Sequence, residues 1–244
     1  MRPLPALSLL LDKIGFNPDS GIRGRINGFL TYRNQIKQIQ SIKPNKTYSQ
    51  FGEDAVLQSL IPNVLGCYVD IGSGHPVIGS NTYALYKLGW KGVLVDPVPH
   101  NIFLSREIRK KDEVIQAAVG KSQSKSLTFY ETDPYQYSTT SSERAAEVEL
   151  LGHPIVRKYS VDIVTLAEIV ANLNLFSPSV LSIDVEGNEL EVLSSNDWIQ
   201  FTPDFILVEE FEEPWKTLTD VRNFLETKGY SLRARCGFTS LYSR

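Results

Sequence analysis

Short apolar segments alternate with amphipathic segments along the chain from Gly66 onward. The apolar segments predict strands, and the nearly continuous apolar run at 180–185 is typical of a central strand covered on both faces. We predict strands over 67–71, 92–95, 114–119, 125–131, 156–161, 180–185 and 205–208, and helices over 81–88, 101–110, 189–193 and 218–228, with another beginning at Thr165. The alternation indicates a doubly wound α/β fold with a mostly parallel sheet, to which a C-terminal hairpin over 230–242 adds an antiparallel edge strand.

Two segments depart from this alternation. Residues 1–46 carry a loose helical stripe with basic residues between its apolar positions. This pattern predicts a helical N-terminal extension that packs on the main domain, 47–244, or on a partner subunit, with a membrane-surface helix as the alternative. Residues 132–154 interrupt two strands, and become helix-favouring from about 143 to 151. An excursion of this length is typical of a lid or a substrate loop.

Composition narrows the class of protein only a little. The chain has 244 residues, with 25 Lys and Arg against 28 Asp and Glu, and a hydrophobic content of 42%. These are ordinary globular values, and the mild acidity gives no support to nucleic-acid binding. The two cysteines form no zinc-ligand spacing. The N-terminal apolar stretch is too short for a membrane span and lacks a signal cleavage site, so we expect a cytoplasmic protein.

The first predicted strand leads into a glycine turn, Asp70-Ile71-Gly72-Ser73-Gly74. A carboxylate at a strand end followed by Gly-x-Gly suits a nucleotide-like ligand, because glycines allow a tight turn and close backbone approach. A purely structural tight turn is the alternative. The third glycine of a dinucleotide fingerprint is displaced to Gly79. This displacement weighs against an NAD-dependent oxidoreductase or sugar-modifying enzyme.

Acidic side chains follow the ends of three predicted strands. Asp96 ends the second strand, where a carboxylate can accept hydrogen bonds from a ribose hydroxyl pair; a turn cap before Pro97 is the alternative. Asp184 and Glu186 follow the central apolar strand, and Glu209 ends the next one. The carboxyl ends of parallel strands meet at one sheet edge, so these acids could orient a hydroxyl, act as a general base or bind a divalent cation. Solvated acids without a role are the alternative.

His75 directly follows the glycine turn. An imidazole with an ordinary pKa near neutrality is well matched to proton removal, so His75 is a candidate general base. The alternative is a histidine that only shapes the loop.

Taken in order, these motifs resemble the FkbM family of S-adenosylmethionine-dependent methyltransferases. The matching stretches are 48–54, 68–76, Ser80-Asn81-Thr82, 89–92 with Asp96-Pro97, 183–189 and 207–209. Many methyltransferases share the acidic glycine turn, whereas the Ser-Asn-Thr triplet and the Asp-Val-Glu-Gly-x-Glu strand end are more specific. The resemblance covers most of residues 47–235.

The resemblance implies a class I, Rossmann-like, seven-stranded methyltransferase fold and in-line methyl transfer to a hydroxyl of a saccharide, a glycan or a secondary metabolite. A non-catalytic binding module that keeps only the fold is the alternative. The residues implied to bind S-adenosylmethionine are Gln50, Asp70, Gly72, Ser73, Gly74, Ser80, Asn81, Asp96, Ala117 and Ala118.

The same resemblance adds to the acidic residues' possible roles. His75, Asp184 and Glu186 are the candidate bases, with Glu209 as an orienting residue. Some related sugar O-methyltransferases depend on magnesium, so Asp184, Glu186 and Glu209 are also candidate ligands of a divalent cation. Independently of the resemblance, the N-terminal extension is a candidate for mediating a homo-oligomer.

Overall fold

A mostly parallel sheet forms the centre of the fold. The computed structural model describes residues 47–121, 125–171, 173, 176–212, 216–217 and 219–244. Its strands are β1 (Cys67–Ile71), β2 (Lys91–Asp96), β3 (Glu113–Gln116), β4 (Ala118–Val119), β5 (Ser126–Thr132), β6 (Ile155–Val164), β7 (Ser179–Ile183), β8 (Phe205–Glu209), β9 (Phe211–Glu212), β10 (Lys216–Thr217), β11 (Ser231–Cys236) and β12 (Thr239–Ser243). Its helices are α1 (Glu53–Leu60), α2 (Tyr83–Lys87), α3 (Pro99–Ile108), α4 (Ser142–Leu150), α5 (Leu166–Ala171), α6 (Glu189–Ser194) and α7 (Thr219–Thr227), with a 3₁₀ turn at Tyr135–Tyr137.

The main sheet has seven strands in the order β11-β12-β8-β7-β1-β2-β3. Strands β3, β2, β1, β7 and β8 are parallel, and β12 pairs antiparallel with both β8 and β11. The chain reverses its direction of winding between β1 and β7. In open α/β sheets, ligands bind at the carboxyl ends of the strands beside such a switch point. The predicted doubly wound, mostly parallel sheet is confirmed.

The C-terminal hairpin differs from the prediction in its order. The antiparallel strand β12 lies inside the sheet, and β11 is the edge. Burial explains this order, because β12 is almost wholly buried, with Leu241 and Tyr242 at most 2% exposed. Strand β11 alternates exposed and half-buried residues, as an edge strand with one solvated face does.

Apolar side chains cover both faces of the main sheet. Alternate residues of β1 enter different cores: Val69 packs with the apolar faces of α5, α6 and α7, whereas Tyr68 packs with Leu57 of α1 and Leu85 of α2. This alternation is the two-residue period of a strand. Helix α1 was not predicted, because Leu57 is its only fully buried apolar residue.

The predicted strand over 114–119 is divided into β3 and β4. Strand β3 stays in the main sheet, whereas β4 belongs to a three-stranded sheet of order β4-β6-β5. The second sheet has its own apolar cluster, in which Ala118 packs with Val98, Phe129 and Val161. The chain therefore leaves the main sheet after β3, and Ala118 of β4 is buried in the apolar cluster of the second sheet.

Residues Thr47–Arg244 form one compact unit. The predicted helical extension over residues 1–46, with its proposed role in assembly, lies outside the described residues. Within the part of the chain that is described, we find no helix with the length and apolar character needed to cross a membrane.

Candidate active site

The glycine turn lies between the ends of β2 and β7. Gly72 and Gly74 have φ angles of +72° and +55°, which favour glycine. The Gly72 N–H donates to the Val95 carbonyl at 2.9 Å, and the Asp184 N–H donates to the Ile71 carbonyl at 3.0 Å. A Cβ atom on Gly72 would lie 1.7 Å from the Asp184 carbonyl oxygen. The turn is therefore glycine-dependent because the end of β7 passes directly against it.

We expect Gly72→Ala to disrupt the fold far more than Gly74→Ala. Both substitutions place a side chain at positive φ, which costs about 1–2 kcal/mol. Only the Gly72 Cβ also collides with backbone, since the nearest atom to a Gly74 Cβ is 4.0 Å away. Chemical denaturation of both variants checks this difference. Equal losses in the free energy of unfolding would contradict the close approach at Gly72.

Asp96 is buried against the glycine turn. Its Oδ2 accepts a hydrogen bond from the Gly74 N–H at 2.8 Å, and its Oδ1 accepts from the Val98 N–H at 2.8 Å and Asn101 Nδ2 at 3.1 Å. Burial raises the pKa of Asp96 to about 6, against the effect of these hydrogen bonds. The side chain thus caps the turn, as the structural alternative required. Because a carboxylate oxygen can accept two hydrogen bonds, Oδ2 still has capacity for a ligand hydroxyl.

Buried polar atoms with unmet hydrogen-bonding capacity surround the turn. Among the described residues, Ser73 Oγ and Asn101 Oδ1 are buried and have no hydrogen-bond partner. Buried polar groups in native proteins are normally satisfied, so these atoms indicate a place for a polar ligand or ordered water beside Asp96.

The backbone of its own loop holds the neutral His75 ring in one tautomer. Its Nδ1 accepts hydrogen bonds from the N–H groups of Val77 at 3.1 Å and Ile78 at 3.0 Å. In the neutral ring the proton is therefore on Nε2. Burial and the nearby His100 lower the pKa of His75 to about 4. This geometry favours the loop-shaping alternative over the role of general base.

The remaining predicted cofactor residues lie around the same turn, several of them with structural partners. Asp70 is buried and accepts a hydrogen bond from Thr82 Oγ1 at 2.5 Å. Ser80 Oγ accepts a hydrogen bond at 3.1 Å from the N–H of Tyr83, the first residue of α2. Asn81 Nδ2 donates to Ser182 Oγ at 3.4 Å.

Three other predicted cofactor residues flank the turn more loosely. Gln50 is exposed, and the segment that carries it contacts the chain beyond the turn, where the Gly79 N–H donates to the Tyr48 carbonyl at 2.7 Å. Ala117 and Ala118 are buried where the chain leaves β3.

Asp184, Glu186 and Glu209, here called the acidic cluster, meet at the carboxyl ends of β7 and β8. One carboxylate oxygen of each lies within 4.8 Å of the others. Surrounding protein atoms and the charge of Glu189 raise the pKa of Asp184 to about 7, although solvent screens part of this effect because the side chain is exposed. Burial and the charge of Asp184 raise the pKa of Glu186 to about 8.

Glu209, the third member of the acidic cluster, also has a raised pKa. Burial, followed by repulsion from Asp184 and Glu186, raises the pKa of Glu209 well above its usual value. Like charges this close cannot all ionise near neutral pH. The acidic cluster therefore holds at least one proton there, and its oxygen donors also suit a hard divalent cation.

We expect Glu209→Gln to raise the melting temperature at mildly alkaline pH by about 2–4 °C, equivalent to about 1 kcal/mol. The folded-state pKa values are raised, so the folded chain holds these protons more tightly than the unfolded chain. Stability is therefore lost as the pH rises through about 7 and 8, the values for Asp184 and Glu186. Removing one acid relieves that loss.

Melting curves of wild type and Glu209→Gln from about pH 4 to about pH 9 check the prediction. The difference should vanish in mild acid, below the usual glutamate pKa. A variant that is less stable than wild type at alkaline pH would contradict the repulsion within the acidic cluster.

Glu189 has a different role from the acidic cluster. It is buried, and its Oε1 accepts hydrogen bonds from the N–H groups of Val185 at 3.2 Å and Gly187 at 3.1 Å. Glu189 thus holds the loop after β7 in shape.

The excursion between β5 and β6 is docked on this loop. Arg144 of α4 lies 3.5 Å from the Glu186 carboxylate, and Thr139 Oγ1 donates to the Glu186 carbonyl at 2.9 Å. Asn188 Nδ2 donates to Thr140 Oγ1 at 3.1 Å. Glu186 itself has a φ of +55°, which is uncommon for a residue with a side chain. The excursion therefore fixes both the backbone and the charge of one member of the acidic cluster.

Another residue of the same excursion, Tyr135, lies near Asp96. Burial and the neighbouring charge of Asp96 raise the pKa of Tyr135 to about 12. Residues of the excursion thus lie near Asp96 at the end of β2 as well as against the loop after β7. Helix α4 begins after Ser141, whose Oγ accepts from the Arg144 N–H at 3.1 Å.

The strand order, with β12 antiparallel inside one end of the sheet, and the glycine turn after β1 define a class I methyltransferase fold. A family model, the methyltransferase FkbM domain, matches residues 70–232, and the chain belongs to this family. The predicted family and fold are therefore confirmed. No protein with a curated function matches the sequence.

One solved structure supports this fold. The crystal structure of methyltransferase FkbM from Methylobacillus flagellatus KT is similar, with a TM-score of 0.50 and 15% identity over 81% of this chain and 48% of that chain. The chain thus spans about half the length of that protein.

Two further structures resemble the chain less closely. For the precorrin-6y C5,15-methyltransferase from Geobacter metallireducens GS-15, the TM-score is 0.45 at 11% identity, over 84% of this chain and 94% of that chain. For the TehB-like SAM-dependent methyltransferase from Corynebacterium glutamicum ATCC 13032 Kitasato, the TM-score is 0.43 at 11% identity, over 88% and 98%.

Proposed function

We propose that this protein is an S-adenosylmethionine-dependent O-methyltransferase that acts on a hydroxyl of a saccharide, a glycan or a secondary metabolite. The observation that carries the proposal is that the glycine turn with Asp96 and the acidic cluster lie at the same edge of the main sheet. The glycine turn and Asp96 provide a nucleoside-type site at the ends of β1 and β2, and the acidic cluster lies at the ends of the adjacent strands β7 and β8.

The glycine turn side is proposed to bind the cofactor. S-adenosylmethionine, when bound, supplies a methyl group on a positively charged sulfur. We assign a ribose hydroxyl to Asp96 Oδ2 and the methionine portion of the cofactor to the backbone at 72–74. Ser80, Asn81 and Gln50 are assigned to the methionine carboxylate, and Asp70 to the amino group, directly or through water. Ala117 and Ala118 border the adenine. The unpartnered Ser73 Oγ and Asn101 Oδ1 support a polar ligand here.

The acidic cluster is proposed to take the proton of the acceptor. As the acceptor oxygen forms its bond to the methyl carbon, the carbon–sulfur bond breaks and the hydroxyl proton passes to a carboxylate. Asp184 is our preferred base, because it is exposed and its pKa of about 7 is matched to neutral pH. Glu209 orients Asp184, and Glu186 is held by Arg144. His75 then remains a loop-shaping residue.

Alignment of the acceptor is expected to contribute much of the rate. Holding the acceptor oxygen in line behind the methyl group replaces a bimolecular encounter, and well-oriented reactions gain effective molarities of about 10⁵ M or more. Tyr135 and Tyr137 lie on the excursion that reaches Asp96 and Glu186. We propose that these rings cover the acceptor and pack against a sugar face.

A divalent cation is the second use that the acidic cluster allows. Asp184, Glu186 and Glu209 would supply its oxygen ligands, and the cation would lower the pKa of the acceptor hydroxyl.

The experiment that tests this function is methyl transfer from deuterium-labelled S-adenosylmethionine, followed by mass spectrometry. The acceptor panel contains glycans, nucleotide sugars and macrolide-like alcohols, with matched deoxy analogues as controls. We expect a labelled methyl on oxygen in at least one hydroxyl class and none on its deoxy analogue. Cofactor binding without transfer to any acceptor would instead support the non-catalytic binding module.

A further inference from the structure

We infer that Arg109 and Thr82 are positioning residues for the cofactor, which fix the chain between the glycine turn and α2 and hold the Asp70 carboxylate in place. Neither residue belongs to the acidic cluster or to the set assigned to cofactor contacts. The inference rests on the proposed function, since it concerns how tightly that same site binds S-adenosylmethionine.

One guanidinium joins both ends of the segment that follows the turn. Arg109 is fully buried, and its Nη1 donates to the Pro76 carbonyl at 2.9 Å. Its Nη2 donates to Thr82 Oγ1 at 3.0 Å. Arg109 directly follows α3, the helix that begins after Asp96. It therefore ties the segment that follows the glycine turn to the C-terminal end of α3.

Thr82 connects Arg109 to Asp70 through two hydrogen bonds. Because Thr82 Oγ1 accepts a hydrogen bond from Arg109, its own proton is free to point at Asp70 Oδ2, at 2.5 Å. Burial raises the pKa of Asp70, whereas the Thr82 hydrogen bond and the Arg109 charge lower it. The pair thus stabilises the ionised form of a carboxylate that we assign to the cofactor's amino group.

The other contacts of Arg109 keep the buried charge satisfied. Its Nε donates to the Asp112 carboxylate at 2.8 Å, and its Nη2 also donates to the Tyr68 hydroxyl at 2.9 Å. The guanidinium carbon, Cζ, lies 4.8 Å from the centroid of the Tyr86 ring. A buried ion pair is often replaceable by apolar packing with no loss of stability. Stability alone therefore does not account for a buried arginine directed at the cofactor segment.

The test uses Thr82→Val, which keeps the shape of Thr82 but removes both hydrogen bonds. Thr82→Ser is the rescue variant. Tyr68→Phe is the matched control, since it removes the other hydroxyl that accepts a hydrogen bond from Arg109 Nη2. The Kd for S-adenosylmethionine is measured by calorimetry well below each variant's melting temperature, which is measured in parallel.

We expect Thr82→Val to weaken S-adenosylmethionine binding about tenfold, the effect of one hydrogen bond to a charged group. Thr82→Ser and Tyr68→Phe should keep the Kd within about twofold of wild type. A variant Arg109→Lys, which keeps the charge but loses the planar fork, should weaken binding in the same direction as Thr82→Val.

Two outcomes overturn the inference in distinguishable ways. If wild type binds and Thr82→Val lowers only the melting temperature, or weakens binding no more than Tyr68→Phe, the network is structural and the proposed function stands. If wild type itself does not bind S-adenosylmethionine, the proposed function fails and this inference fails with it.

Discussion

Replacing Asp96 with alanine is expected to weaken S-adenosylmethionine binding by about 10- to 100-fold, since the one hydrogen bond that Oδ2 can still accept from a ribose hydroxyl contributes about 1.5–3 kcal/mol. The carboxylate is buried, and its Oδ2 already orients the Gly74 N–H at 2.8 Å. The alanine variant therefore loses both the proposed ribose acceptor and the order of the glycine turn. Because the pKa of Asp96 is about 6, wild-type affinity should also fall as the pH drops below that value.

Calorimetric titration measures this effect, with Asp96→Asn as the matched control. The asparagine variant keeps the size and one acceptor oxygen but not the charge, so its Kd should lie between those of wild type and Asp96→Ala. A melting curve for each variant confirms that the fold is intact. If a folded Asp96→Ala bound the cofactor as tightly as wild type, Asp96 would be only a turn cap.

Replacing Asp184 with asparagine is expected to lower kcat by about 10²–10⁴-fold, the usual contribution of a general base. The Kd for S-adenosylmethionine should stay unchanged, because we assign Asp184 to the acceptor. A base acts only when unprotonated, so the wild-type rate should rise with pH through about 7, the pKa of Asp184. Steady-state kinetics across this range check both statements, once an acceptor is known.

The control for this prediction is Glu191→Gln, which removes an exposed acid of α6 outside the acidic cluster. Its kcat and pH profile should match wild type. An unchanged kcat in Asp184→Asn would remove Asp184 from the role of base. Loss of wild-type activity on treatment with EDTA, with recovery on adding Mg²⁺, would instead assign the acidic cluster to a divalent cation.

The sequence predicted the elements of the main sheet well because buried parallel strands are short apolar runs. The run at 180–185 corresponds to β7, which is buried at every position. The order of the last two strands was not predictable in the same way. Both strands of a hairpin have similar patterns, and which one enters the sheet depends on the burial that β8 offers to Leu241 and Tyr242.

The candidate site was predictable where its residues are local in sequence. The glycine turn and the acids after β7 are contiguous motifs, and the sheet topology brings them to one edge. Arg109 was missed because its partners are distant in the chain: Tyr68 is 41 positions away and Pro76 is 33. The tautomer of His75 likewise depends on two backbone N–H groups that donate to Nδ1. The direction of these groups cannot be inferred from the spacing of residues along the chain.

The most direct test of the proposed function is a calorimetric titration of the wild-type chain with S-adenosylmethionine, alongside the same titration with NAD. Both ligands carry an adenosine portion, so the comparison isolates the methionine half of the site. We predict saturable binding of S-adenosylmethionine at one site per chain and no measurable binding of NAD. Binding of NAD without binding of S-adenosylmethionine would contradict the proposed function.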